Sequence, residues 1–431
     1  MLQAFAVTIY GESLASDLLV ALYTAFAISC LGAPAVVNKV GPKPALSLGV
    51  LSYVPIPISS LLLVTYGAQD QWCRALVIVA GALSGIGGSC MWTAQGRLML
   101  EAAKEDGSAG TSFGIFWGFF SCAAVAGGLF TFGFYSMVDP THNHTATAAS
   151  VRDDGGELQP RPPTSLFALY ISLMLAAVAL SLCVRRGSRQ IHGTGERPHQ
   201  PLTSHSVSEE GVPKPLSWLD EVRHTLAMVC EPRIQRIALL FFYSGFNQPY
   251  QLDTFGNRLF VPRALGLELV AFYAMGAIGG YVTGRMLDGH DAAGGQQRAA
   301  AYRTLMLFLA TNGIAFALAT YNEACALTGE SALRMDLGRA GIVPATFAYA
   351  LWGFADAQVQ GYVYWLIPLL FHSGEQQAHA VGLFKMIQAL GWAVGFVLVP
   401  VDRVPALAQL ALTAVCCLAC TLLALTRRAL P

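Results

Sequence analysis

The chain is written as long apolar blocks separated by short polar punctuation. Stretches without one charged side chain run over 18–37, 44–66, 75–96, 111–138, 163–184, 304–322 and 404–426. Four more, at 234–252, 267–284, 341–370 and 381–401, are shorter or carry a single charge. Roughly 20 residues at 1.5 Å rise cross a hydrocarbon core of about 30 Å. Lipid offers the backbone no hydrogen-bond partner, so each block is expected to be a helix. The pattern predicts an all-α integral membrane protein with about eleven visible spans.

Composition removes the soluble alternatives. Of 431 residues, 54% are hydrophobic and 12% are charged, whereas a soluble chain carries about 25% charged residues. The 26 basic residues balance 26 acidic ones. The basic residues are scattered over loops and form no clustered face, which argues against a nucleic-acid partner. With the C-terminus in the cytosol, only eight of the 26 fall outside: Arg74, Arg152, Arg161, Arg258, Arg263, Arg334, Arg339 and Arg403. That bias sets the expected orientation. It also places the sequon Asn143-His144-Thr145 on the non-cytosolic side, where glycosylation is expected at Asn143.

Eleven spans with a cytosolic C-terminus put the N-terminus outside. The opening run MLQAFAVTIYGES is too short to span, and no Lys or Arg precedes Lys39, so it lacks the basic start of a signal peptide. It is expected to be the end of a first helix whose bulk is not in this chain, twelve spans being the full count. A genuine eleven-span chain with a short external tail is the alternative. The segment 185–233 starts with Arg185-Arg186 and is rich in Ser, His, Pro and Gly to about 215, as a cytosolic linker would be. Within it, 216–230 reads as an amphipathic helix. Ser217 and Asp220 mark its start, and Leu219, Val222, Leu226 and Val229 share one face. Such a helix is expected on the membrane surface. The domain reading is therefore a helical bundle over 1–184 with five visible spans, a linker over 185–233, and a six-helix bundle over 234–431.

A degraded repeat supports two halves. Pro34, Asn38, Lys39 and Gly41-Pro42-Lys43 close the first visible span, and Gly284-Arg285-Met286-Leu287-Asp288-Gly289 closes the second span after the linker. Both resemble the Gly-x-x-x-Asp-Arg-x-Gly-Arg-Arg loop of the major facilitator superfamily, in which glycine permits close helix approach and charge forms a latch. The runs NKVGPKPALSLGVLSY, GALSGIGGSCMWTAQGRLML and FGIFWGFFSCAAVAGGLFTFG resemble the first half of the Unc-ninety-three-like family of that superfamily. FFYSGFNQPYQLDTFGNRLF, YALWGFADAQVQGYVYWL and GLFKMIQALGWAVGF resemble its second half, and Trp92-Thr93-Ala94-Gln95-Gly96 is the most specific run. The resemblance implies a major facilitator-type two-bundle fold. It also implies a regulator of ion homeostasis, notably potassium, or of a channel or receptor in the same membrane. The alternative is a secondary carrier that moves a small solute or cation by alternating access.

Candidate chemistry sits on the polar residues of the spans. Ser244, Asn247, Gln248, Pro249, Tyr250 and Gln251 crowd one half of 234–252, and Asn247, Tyr250 and Gln251 fall on one helical face. They are expected to line a polar cavity beside a proline-interrupted helix, or else to pack against neighbouring helices. Asp356 lies mid-span with Gln360 one turn on, and an intramembrane carboxylate is a functional hypothesis by default. Gln388 matches it in depth, while Lys385 is expected to snorkel to the interface. Gln95 is the one deep polar group of its span end, and Arg97 reads as an interfacial anchor. Gly81, Gly85 and Gly88, and Gly114 with Gly118, have the small-residue spacing of close helix packing. The nine histidines form no ligand spacing, and Cys417 and Cys420 sit in a continuous apolar helix. No metal, cofactor or enzyme motif emerges.

Overall fold

The computed structural model describes residues 6–66, 70–106, 108–138, 150–152, 158–160, 164–183, 217–288, 294–328, 334–339 and 341–426. Asn143 and most of the linker lie outside these residues. A short helix α1 (Ala6–Tyr10) leads into α2 (Glu12–Ser29) and α3 (Ala33–Val40), which together form one rod bent by 58°. Pro34 in the first turn of α3 sets that new start, because its missing N–H would be unpaired there in any case. A second rod, Pro42–Tyr66, runs as one span through a short interruption between α4 (Pro42–Leu51) and α5 (Pro55–Tyr66), with Pro55 at the restart. The first half is completed by α6 (Gln71–Asp106), α7 (Ala109–Val138) and α8 (Thr164–Cys183). A two-stranded antiparallel pair, β1 (Ser150–Arg152) and β2 (Leu158–Pro160), lies between α7 and α8.

Helix α9 (Trp218–Ala227) opens the second half. Then follow α10 (Pro232–Pro249), α11 (Pro262–Asp288), α12 (Gly294–Thr328), α13 (Ile342–Leu370), α14 (Gly374–Leu398) and α15 (Ala406–Ala424). Past Pro249 the backbone widens into a π-helical segment over Tyr250–Asn257. Proline removes one ladder donor and crowds the preceding turn, which favours such a wider turn.

Eleven rods thus occupy the eleven apolar blocks among the described residues. Seven helices are long and apolar enough on their own to cross a membrane, and the bent α2–α3 rod makes eight. The other three are α8, α10 with its π segment, and α13. Helix α8 has a shorter apolar run, Phe167–Cys183, and α10 and α13 carry polar groups on faces turned inward. Many large apolar side chains on the outer faces are exposed, such as Phe119, Leu182, Leu422 and Val415. Exposed contiguous apolar surface on this scale is what lipid covers.

Helix α7 packs on α11 and α2 on α14 across the halves. Gly128 and Gly266 face each other at the first: a Cβ added to either would lie 2.8–3.0 Å from the other's carbonyl oxygen. Gly81 and Gly85 likewise face the α2 backbone and Leu18, whereas Gly118, expected at a crossing, meets nothing within 4 Å. Helix spacing here is set by the absence of side chains.

Candidate functional site

Polar residues recur at helical spacing on three neighbouring helices, so each helix turns one polar row in the same direction. Helix α10 supplies Ser244 and Gln248, α13 supplies Asp356 and Gln360, and α14 supplies Lys385, Gln388 and Trp392. The rows interlock. The Trp392 indole Nε1–H donates to Gln248 Oε1 at 2.9 Å, and this orients Gln248 so that Nε2 donates to Asp356 Oδ1 at 3.0 Å. Lys385 Nζ donates to Gln388 Oε1 at 2.8 Å and Gln360 Oε1 at 3.4 Å. Gln388 Nε2 in turn donates to Ser244 Oγ at 2.9 Å. The Lys385 ammonium also lies 4.6 Å from the Phe384 ring centre and 4.8 Å from that of Trp92. Aromatic faces at that range attract a cation.

These rows border a cavity of about 300 Å³ between the halves. Gln248, Asp356, Gln360, Lys385 and Trp392 form its polar wall. The first half contributes Leu22, Tyr23 and Phe26 of α2, Trp92 of α6, and Trp117 and Phe120 of α7. Asp356 and Lys385 are 3% and 2% exposed, and no ion pair joins them among the described residues.

The sequence expectations divide accordingly. Gln248, Asp356, Gln360 and Lys385 come together at the cavity, and Gln388 stands behind Lys385 as its support. Asn247, Tyr250 and Gln251, expected to line a cavity, do not border this one. They sit on the other side of α10, where Tyr250 Oη donates to Glu323 Oε1 at 3.4 Å and both amide atoms of the buried Gln251 lack a partner among the described residues. At 100° per residue Asn247 points about 100° away from Gln248, and Tyr250 and Gln251 lie in the π-helical segment past Pro249, which breaks the α-helical register. The amide of Gln95 is buried without a partner among the described residues and lies apart from the cavity.

Lys385 does not snorkel. Two amide oxygens and the aromatic faces satisfy the ammonium where it is, so extension to the interface offers it nothing better. The sequence expectations omit Trp392 as a site residue, though Lys385, Gln388 and Trp392 at i, i+3 and i+7 carry the signal. They omit Arg258 with Glu323 as well, whose Nη2 lies 2.5 Å from both carboxylate oxygens. Those two charges fell at the ends of apolar blocks, where loop placement looked natural.

A second polar cluster ties the halves at one end of the bundle. Arg97, expected as an interfacial anchor, pairs with Glu101 at 2.7 Å and donates to Asn38 Oδ1 at 2.8 Å. Asn38 Nδ2 donates to Glu221 Oε2 at 3.0 Å, and Glu221 also meets His379 Nε2 at 3.0 Å. Helix α9 thereby turns Glu221 and Thr225 inward and leaves Trp218, Leu219, Leu226 and nearby Val229 exposed, as a surface-lying helix would. Its cap is the expected one: Ser217 Oγ accepts from Asp220 N at 3.1 Å and donates to its carboxylate, holding the Asp220 carboxyl below its ordinary range. In the other loop of the repeat, Asp288 accepts from the Gly110 and Thr111 amides at the start of α7, where the helix N-terminus favours negative charge. Both copies therefore act as latches between halves.

Comparison with known proteins gives a consistent picture. The family model described as "Ion channel regulatory protein UNC-93" matches residues 18–425. UNC93-like protein 1 of Arabidopsis thaliana is 26% identical over 393 residues, covering 90% of this chain and 77% of that protein. Protein unc-93 homolog A of Bos taurus is 24% identical over 425 residues, covering 92% and 82%. Among solved structures, the Escherichia coli fucose:proton symporter aligns at 13% identity with a TM-score of 0.56, covering 98% of this chain and 92% of that one. The human organic anion transporter MFSD10 aligns at 15% identity with the same TM-score, covering 98% and 89%. At such identities the structures establish the major facilitator fold alone.

Proposed function

This chain belongs to the UNC-93 family of ion channel regulatory proteins, and from that premise we propose that it controls ion homeostasis, potassium foremost, by acting on a partner membrane protein without conducting the ion itself. The observation that supports this reading is the position of Lys385. A fixed ammonium stands in the cavity between the halves, buried and held by two amide oxygens. A cation entering there meets like charge at short range in a low dielectric. It also finds one carboxylate and a few amide oxygens where cation filters offer rings of carbonyls. The bias of the basic residues supports an orientation with α9 and the C-terminus in the cytosol and Asn143 outside. The exposed apolar face of α9 is then available on the cytosolic side. Purified protein in liposomes is expected to pass no more potassium than empty vesicles. Potassium flux above that background from the chain alone removes this reading.

One observation favours a second reading, that of a carrier. The cavity lies between two bundles of a fold shared with solute transporters, and it holds a carboxylate that a purely structural helix has no need to bury. Uptake of a solute into proteoliposomes, lost in Asp356→Asn, is the expected result on that reading. Solute uptake undiminished by the substitution sinks the role of Asp356 in it.

A further inference from the structure

Two buried groups of opposite charge border the same cavity and leave each other unpaired. Asp356 accepts one hydrogen bond, from Gln248, at Oδ1, and its Oδ2 has no partner among the described residues. Lys385 has three N–H donors; two go to Gln360 and Gln388, and the third meets no oxygen acceptor among the described residues, only the Phe384 and Trp92 rings. Lys385 borders the cavity beside Gln360, one helical turn from Asp356, or about 6 Å along α13. A buried pair with a purely structural role gains most by closing, because desolvation costs several kcal/mol per ion and only close approach offsets it. Here the gap is held open instead. Trp392 fixes Gln248 against the carboxylate, and Gln388, itself fixed by Ser244, fixes the ammonium.

A ligand with a single charge answers only one of these groups. A cation satisfies Asp356 and is repelled by Lys385; an anion meets the reverse. A zwitterion answers both, because its ammonium can donate to Asp356 Oδ2 while its carboxylate accepts from Lys385. Hydrogen bonds of about 3 Å at each end, with an ammonium and a carboxylate on one carbon between them, bridge side-chain charges up to about 9 Å apart, which a separation of about one helical turn along α13 allows. The remaining walls are mainly aromatic and aliphatic, with Ser84 and the tyrosines Tyr23, Tyr53 and Tyr273 among them, and about 300 Å³ is the small end of ligand pockets. We propose that the cavity binds a small zwitterion of the α-amino-acid class with an apolar side chain, its ammonium on Asp356 and its carboxylate on Lys385. The proposal rests on the carrier reading only insofar as both treat the cavity as a ligand site; it does not require the ligand to cross.

The test uses the full chain in nanodiscs and four probes: L-phenylalanine, phenethylamine, 3-phenylpropionate and potassium chloride. Binding is read by calorimetry, with quenching of the cavity tryptophans beside it. L-phenylalanine is expected to bind about tenfold or more tightly than either truncated analogue, since each loses one charge-assisted hydrogen bond. Asp356→Asn is expected to erase the preference over 3-phenylpropionate and keep the preference over phenethylamine. Lys385→Gln is expected to do the opposite. The wild-type comparison stands even if a variant fails to fold. No binding of L-phenylalanine, equal binding of the three organic probes, or its displacement by potassium overturns the proposal. Binding of L-phenylalanine without its uptake into proteoliposomes upholds the site and counts only against the carrier reading. Uptake of some other solute, abolished in Asp356→Asn, with no zwitterion bound, upholds the carrier and overturns the site.

Discussion

The second bundle contains two buried charge constellations that differ in one respect. Arg258 and Glu323 meet with both carboxylate oxygens on one guanidinium nitrogen, and Tyr250 adds a hydroxyl. That constellation is closed. Asp356 and Lys385 face one cavity, each held by glutamines, and remain apart. Both arrangements carry the cost of removing ions from water, and only the first recovers it by direct contact. Arg258 also keeps about a third of its side chain exposed, which lowers its own cost. The comparison teaches that burial of charge in this bundle is not one phenomenon: one pair binds α12 to the end of α10, and the other holds two charges available.

The sharpest way to break the comparison is Glu323→Ala. It strands Arg258 beside a buried hydroxyl, and a loss of about 3 kcal/mol is expected, the low end for a broken buried pair. Thermal unfolding in detergent measures it, and a wild-type melting curve contradicts the closed reading. Next is Gly245→Ala, where a Cβ would run into the carbonyl of Gln388. Forcing α10 and α14 apart is expected to cost about 1–3 kcal/mol and to loosen the Lys385 site with it. Unchanged stability means that the helices have room the structure denies them.

Asp356→Asn sits at the opposite pole. The amide keeps the Gln248 hydrogen bond and removes a charge with no ionic partner, so stability is expected to stay within about 1 kcal/mol of wild type or to rise. A loss as large as that of Glu323→Ala makes Asp356 structural too. The smallest effect is at the loop pair Arg263–Asp336, joined at 2.6 Å and about a third exposed on each side. The hydrogen bond from Arg263 holds the Asp336 carboxyl below its ordinary value. Its contribution is therefore present above the unfolded carboxylate pKa, about 3.9, and is lost as pH falls through the lower folded value. That contribution is expected to be below about 1 kcal/mol, and Asp336→Asn should remove it. A stability difference between the two proteins that stays constant from pH 6 to pH 3 contradicts the assignment.

Part of the site was legible before the fold was known. Asp356 and Gln360 announce themselves because a carboxylate and an amide one turn apart inside an apolar block have few innocuous explanations. Lys385 was legible as a residue but not as a fate, since snorkelling depends on what surrounds the ammonium, and Gln360, Gln388 and Trp92 come from three separate helices or turns. The choice of Gln248 over Asn247 and Gln251 was illegible for a related reason. All three are adjacent polar residues before and after a proline, and only the rotation of α10 against α14 decides which faces the gap.

The sequence alone determined the solvent, the helical class, the apolar blocks that the helices occupy, and a two-bundle arrangement. These follow from local quantities: run length against bilayer thickness, the scarcity of charge, and a loop motif repeated in two places. Tertiary structure alone decided which polar residues meet. Gly128 against Gly266 sets how closely the halves approach, Trp392 turns Gln248 toward Asp356, and Ser244 pins Gln388 beneath Lys385. A hydrogen bond or an unpaired charge is a relation between residues distant in the chain. Its energy depends on ångström distances that apolar periodicity does not encode.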